Sequence, residues 1–330
     1  MWSLRHLPLE RIGIEGSYRL PDIPSIPTSN LCVYSEKEKC LQTASHQKRV
    51  SLIIEAQLDH GSYGNVHLAK REDTYVLLKQ PRLSEMNLLQ EAVVQSLAHT
   101  VLEAEGIPWA IPKVYDVFRK GNEIWFSMDR IQGMTIHDWF SHTETPDMDT
   151  WTILAQISLC LACLEHHLHL DHRDLKVNNL LIKPEVCTLR LRLYDTIWTL
   201  QSPFQVILLD FGFACLGSGL LRSKPLVNLG DGVLPPMDPC PKEGRDIFHL
   251  LISFLGLPIF RQRVSQRIHE KIDRWLSVGT KSYGSMARRW STENWSYLVS
   301  SQPTFSIKSC CPHVVLEDIL PELKGRLTKT

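Results

Sequence analysis

Between Ser51 and Gln80 the chain reads "SLIIEAQLDHGSYGNVHLAKREDTYVLLKQ". Apolar and polar positions alternate there in short runs broken by turn residues, which predicts an antiparallel meander. In "LSEMNLLQEAVVQSLAHTVLEAEG" the apolar spacing changes to three and four, predicting a helix that stops at Gly106. "KVYDVFRK" and "EIWFSMDRI" return to a strand pattern about a turn at Gly121-Asn122. Residues 51–131 therefore predict a small lobe of five strands and one helix. Beyond it, "DMDTWTILAQISLCLACLEHHLHL" is a long amphipathic pattern opening at an aspartate cap. Strand-like "NLLIKP", "TLRLRLYDTIWTL" and "FQVILLD" follow, then a glycine-rich irregular segment, then helices. Residues 1–50 show no sustained period, and "RLPDIPSIPTSN" carries three prolines in seven residues. That composition predicts an extended arm, disordered or lying along the surface. The expected fold class is α+β.

Composition narrows the partners. The chain has 330 residues, 43% of them hydrophobic, and a formal net charge of zero. That length holds one large domain or two lobes, and neutrality argues against nucleic acid or an anionic membrane as main partner. The longest apolar run, "IFHLLISFLGLPIF", is too short to span a membrane and contains His249 and Pro258. "MWSLRHLPLERIGIEG" scatters charge where a secretory leader has an apolar core, so the expectation is an intracellular protein. The nine cysteines are then expected as thiols. Cys160 and Cys163 share a helix face by packing, and adjacent Cys310 and Cys311 read as free thiols.

The chemistry is concentrated in "HLDHRDLKVNNLLIKP", which brings Asp174, Lys176 and Asn179 into one short loop. Phosphoryl transfer uses these groups. An aspartate orients and deprotonates a hydroxyl, a lysine neutralises the migrating group, and an asparagine oxygen holds magnesium. A second acidic ligand stands in "LLDFGFA", at Asp210. Upstream, "HGSYGNV" is a glycine-rich turn whose backbone can approach phosphates, "VLLK" puts Lys79 on the third strand, and Glu91 lies on the following helix. Alone, the turn is an ordinary hairpin, Lys79 a solvated strand lysine and Glu91 a solvated helix charge. Their order together is what carries specificity.

Taken in that order, residues 51–255 resemble the eukaryotic-type serine/threonine protein kinases. The resemblance implies a bilobal fold, with a five-stranded antiparallel N-lobe over 51–131 and a mainly helical C-lobe over 132–330, using ATP and Mg2+. By matching positions, Asp174 would be the catalytic base, Lys176 the γ-phosphate contact, and Asn179 and Asp210 the metal ligands. Lys79 would hold the α/β-phosphates, oriented by Glu91. Leu58, Gly61, Ser62, Tyr63, Gly64 and Val66 would enclose the nucleotide. Met128 would be the gatekeeper, with Asp129 and Ile131 meeting adenine. Asp246 in "GRDIFHLL" reads both as a helix cap and as an anchor for the catalytic loop. Lys176, two residues after Asp174, follows the serine/threonine pattern. The implied partner is a protein with serine or threonine acceptors, and the implied state a monomer in cytoplasm or nucleus, of a host cell if the chain is viral.

Three features depart from the family. Asp59 replaces the first glycine of GxGxxG and would repel a triphosphate if it faced one. No APE motif follows DFG, and "EVCTLRLRLYDTIWTLQSPF" is inserted between Asn179 and Asp210. The insertion and the missing APE are similar in layout to the haspin branch, although the intact DFG is not. A divergent viral-type kinase explains them equally well. Two other readings stay open: a pseudokinase or binding scaffold, and a small-molecule phosphotransferase of the aminoglycoside kind, against which Arg173 stands where those enzymes carry glycine. Arg173 could also bind a phosphorylated residue such as Ser218 or Ser223.

Overall fold

The computed structural model describes every residue except 1–5, 46, 62–63, 83–87, 194, 219–223, 231–233, 235–237 and 291–293, and it leaves the side chains of 59–61 and 64 undescribed. The chain divides into two compact units, residues 1–100 with 112–131, and residues 101–111 with 132–330.

In the first unit, β1 (Cys32–Ser35), β2 (Cys40–Gln42), β3 (Arg49–Gly61), β4 (Gly64–Arg71) and β5 (Thr74–Gln80) precede α1 (Leu88–Ala104), of which the residues up to Thr100 belong to this unit, and β6 (Val114–Lys120) and β7 (Glu123–Asp129) follow it. The meander and both later strands form where their alternation places them. Val50 and Leu52 on β3, and Val76 and Leu78 on β5, recur at a spacing of two and pack with Ala69, Phe118 and Trp125. The sheet differs from the five strands expected. It has seven among the described residues and closes as a barrel in the order β1-β2-β3-β4-β5-β7-β6. The two extra strands come from the stretch read as an arm. β2 pairs antiparallel with β3, and β1 closes the barrel by running parallel to β6. These short strands add buried Cys32, Cys40 and Leu41 to the core, with Tyr34 packed against it. Ahead of them, the proline-rich segment forms 3-10 turns at Leu20–Ser25 and Thr28–Asn30.

The second unit opens with the two-residue strand β8 (Met134–Thr135), α2 (Ile136–His142) and α3 (Pro146–Leu168). Nearly every residue of α3 from Asp149 onward is buried, as a core helix requires. Its expected aspartate cap is corrected by two residues. The helix begins with Pro146 after Thr145, and Asp147 instead accepts from the Ser265 amide (2.8 Å), while Asp149 accepts from Trp139 Nε1 (2.9 Å) and from the Thr143 and Thr145 hydroxyls. Next come β9 (Leu170–Asp171), β10 (Leu180–Lys183), the hairpin β11 (Cys187–Leu193) and β12 (Thr196–Ser202), β13 (Gln205–Leu208), β14 (Cys215–Leu216) and β15 (Val227–Asn228). The inserted segment is thus a hairpin, and β11 alternates strictly, with Cys187, Leu189, Leu191 and Leu193 turned inward. The C-terminal strand Leu327–Lys329 adds to β12. Helices α4 (Arg245–Gly256), α5 (Pro258–Arg263), α6 (Gln266–Trp275), α7 (Tyr283–Arg289), α8 (Asn294–Ser300) and α9 (Pro312–Ile319) complete the unit. Among the described residues no helix is long and apolar enough to cross a membrane.

The cysteine reading needs one correction. Cys160, Cys163, Cys310 and Cys311 are buried thiols, and burial pushes all four above the ordinary thiol range. Cys215 and Cys240, however, form a disulfide across a separation of 25 residues.

Candidate functional site

In the first unit, β3 ends at Gly61 and β4 begins at Gly64, which face each other across the ladder. Ser62 and Tyr63 lie outside the described residues, as does the side chain of Asp59. The ladder shifts register between Gln57 and Asp59, so Leu58 sits in a bulge, and its side chain is exposed. Val66 is half-buried on β4, directly opposite Lys79 on β5. Lys79 Nζ lies 2.5 Å from Glu91 Oε1, in the first turn of α1, and both residues are buried. An ion pair withdrawn from water persists only when each charge keeps its partner, so the two side chains fix each other's position. Met128 on β7 is half-buried with Sδ 3.7 Å from Gln95 Nε2. Asp129, at the end of β7, is tied to β6: its carboxylate accepts from the Tyr115 hydroxyl (2.6 Å) and the Lys113 amide (2.8 Å), and its own N–H donates to the Lys113 carbonyl. Desolvation, with the Asp129 hydrogen bond, pushes Tyr115 up to about 12. Ile131 closes the unit and is half-buried.

In the second unit, the loop between β9 and β10 brings Asp174, Lys176 and Asn179 together. Lys176 Nζ is 3.0 Å from each carboxylate oxygen of Asp174, and Asn179 Nδ2 donates to Asp174 Oδ2 (3.1 Å) and to its backbone oxygen (2.8 Å). The loop is pinned from α4. Asp246 Oδ2 and Oδ1 accept from the His172 and Arg173 amides at 2.7 Å, and Ser253 Oγ accepts from the Val177 amide at 3.0 Å. Asp246 therefore anchors the loop, and Gly244 holds the position before the helix. Asp210 follows β13. The Leu209 amide donates to the Asn179 carbonyl, and Asp210 Oδ1 accepts from the Gly212 amide at 3.2 Å. Arg173 and Asp210 both have left-handed backbones, at φ 65° and 61°. Each costs about 1 kcal/mol in a non-glycine residue, so the surrounding contacts must impose them.

The donor set fits a hard cation. Asn179 commits its amide nitrogen to Asp174, which leaves the oxygen as the atom it can offer, and Asp210 adds a carboxylate; oxygen donors of this kind suit Mg2+.

Arg173 donates through Nη1 to Asn228 Oδ1 at 2.7 Å, while Nε and Nη2 are buried without a hydrogen bond. Burial, reinforced by Arg245, lowers the guanidinium to about 10. A Cβ at Gly230 would lie 2.5 Å from Nη2, so a side chain there would have to push the buried guanidinium aside. Ser218 is exposed, and Ser223 lies outside the described residues.

Sequence reasoning missed three parts of this region. The first is a buried charge network beneath the loop, in which Asp171 accepts from Arg245 Nε (2.9 Å) and Asp238 pairs with Arg245 and Lys242. The second is Tyr297 on α8, whose hydroxyl donates to Asp174 Oδ1. The third is His249, buried on α4 with Nε2 2.9 Å from Ser300 Oγ and Nδ1 3.1 Å from Ser296 Oγ. A buried Asp171 just ahead of the polar loop was readable as a motif neighbour; the others carry no local signal.

His249 makes a pH prediction. Burial, aided by Arg245, lowers its pKa from 6.5 to about 3. The folded chain keeps it neutral, while the unfolded chain takes a proton below the ordinary value. Stability from this group is thus complete above pH 6.5 and is lost as pH falls toward 3. Between about pH 6.5 and 4.5 the loss is roughly 2 kcal/mol. Urea midpoints over that range should fall less steeply in His249→Gln than in the wild type, and parallel slopes would refute the assignment.

The comparisons agree with the geometry. The family model for the protein kinase domain matches residues 52–221. The chain is similar to the protein of invertebrate iridescent virus 3 named "Probable kinase 098L", with 26% identity over 41% of this chain. It is also similar to the Saccharomyces cerevisiae protein named "Putative serine/threonine-protein kinase YPL150W", with 28% identity over 38% of this chain. It spans 25% of the viral protein's length and 13% of the yeast protein's.

Proposed function

The chain belongs to the protein kinase family, and from that premise we propose that it transfers the γ-phosphoryl group of ATP to serine or threonine hydroxyls of a protein. The observation that carries this reading is the loop in which Lys176 and Asn179 both donate to Asp174 while Asp246 and Ser253 pin the backbone. Asp174 takes the acceptor's proton as the hydroxyl oxygen bonds to phosphorus and ADP departs with the broken bond's electrons. Lys176 turns its charge from Asp174 to the migrating phosphoryl group. Lys79, oriented by Glu91, holds the α/β-phosphates. Leu58, Gly61, Ser62, Tyr63, Gly64 and Val66 enclose the nucleotide, and Met128, Asp129 and Ile131 border its base. Asn179 and Asp210 hold Mg2+, which when bound neutralises phosphate charge.

Serine/threonine preference is supported by Lys176 two residues after Asp174 and by the name of the yeast relative. The haspin-like or viral-type placement rests on the β11–β12 insertion and the segment that replaces APE.

The test is phosphotransfer from labelled ATP, with and without Mg2+, to serine, threonine and tyrosine peptides and to aminoglycosides. Label on serine or threonine peptides alone is the expected result. Label on aminoglycosides would replace the reading with a small-molecule phosphotransferase, and label nowhere would replace it with a binding scaffold.

A further inference from the structure

Asp174 is only 1% exposed, although a group that is to deprotonate an incoming hydroxyl must be within that hydroxyl's reach. Part of its cover comes from 123 residues along the chain, where Tyr297 donates to Oδ1. Lys176 donates to both oxygens and Asn179 to Oδ2. A carboxylate has about four lone-pair directions. Lys176 and Tyr297 meet those at Oδ1, and Lys176 and Asn179 those at Oδ2. When Lys176 turns to a phosphoryl group, Tyr297 still occupies Oδ1.

The helix that carries Tyr297 is fastened to the same core as the loop. Ser296 and Ser300 flank His249 of α4, Lys242 Nζ donates to the Ser300 carbonyl at 2.7 Å, and Trp295 is buried. Tyr297 itself is half-buried, its ring 4.7 Å from the His249 ring. The helix is therefore fixed, while Tyr297 itself is only half-buried.

We propose that Tyr297 covers Asp174 at Oδ1, so that a substrate hydroxyl approaching that oxygen competes with the phenol and binds best where it displaces it. This rests on Asp174 being the base of the proposed phosphotransfer. Displacement costs a charge-assisted hydrogen bond. A protein acceptor held by further contacts offsets that cost, whereas water does not. Tyr297 is then a specificity-determining residue that favours docked protein hydroxyls over hydrolysis of ATP.

Two measurements test it. In Tyr297→Phe, which keeps the ring and removes the donor, the peptide KM should fall and acceptor-free ATP hydrolysis should rise, each about tenfold, with the nucleotide KM unchanged. A fall in kcat at unchanged peptide KM, without faster hydrolysis, would mean that the phenol supports the base, and the proposal would be wrong. The second measurement needs no activity. Carbodiimide with glycine ethyl ester, mapped by mass spectrometry, should label Asp174 more strongly relative to buried Asp246 in Tyr297→Ala than in the wild type. An unchanged ratio overturns the cover. A raised ratio in a chain that transfers no phosphate keeps the cover and discards the kinase reading.

Discussion

Asp210→Asn is expected to reduce phosphoryl transfer by a factor of about a thousand or more, because it removes a charge from the pair proposed to hold the metal. The fold should survive. Asparagine is among the few residues that adopt a left-handed backbone readily, so φ 61° at this position is retained at little cost. Its side-chain oxygen can still accept from the Gly212 amide, now at 3.2 Å. Neither Phe211, fully buried with its ring 4.8 Å from His172, nor the bond from Leu209 to Asn179 depends on the lost charge. The check is single-turnover transfer at saturating Mg2+ beside the urea midpoint. An unchanged midpoint with transfer lost is the expected pair. Turnover within about tenfold of the wild type would remove Asp210 from the metal site.

What the sequence made legible follows from range. Strands β3 to β5, and β6 with β7, alternate locally and are joined by short turns, so period and punctuation sufficed to place them. β1 and β2 did not stand out, because "CVYS" and "CLQ" are too short to show a period, and a run of charged residues separates them. They are strands because β3 and β6 offer edges to pair with, a parallel closure that no local pattern announces. The candidate site divides the same way. Asp174, Lys176 and Asn179 lie within six residues and declared themselves together. Lys79 and Glu91, twelve residues apart, read as a pair from the strand and the helix that follows it, and their side chains meet at 2.5 Å. Tyr297, the Asp171–Arg245–Asp238 network and the Cys215–Cys240 bond join distant segments by chain folding. A lone tyrosine in a seven-residue helix carries no mark of the carboxylate it will meet.

Asp174→Ala is expected to lower kcat by about 10^2 to 10^4, the range for losing a positioned general base, while nucleotide affinity stays within about twofold. The loop does not rely on the lost carboxylate. Asn179 keeps its bond to the residue 174 carbonyl (2.8 Å), and Asp246 and Ser253 keep the amides of His172, Arg173 and Val177. Lys176, with a 21% exposed side chain, and half-buried Tyr297 can turn to water instead. Equilibrium nucleotide binding beside single-turnover transfer separates the two effects, and joint loss of both would assign Asp174 a structural role. The same variant also locates the action of Tyr297. Without the carboxylate the phenol has nothing to cover, so Asp174→Ala with Tyr297→Phe should hydrolyse ATP no faster than Asp174→Ala alone. A further tenfold gain in the double variant would mean that Tyr297 acts somewhere other than on Asp174.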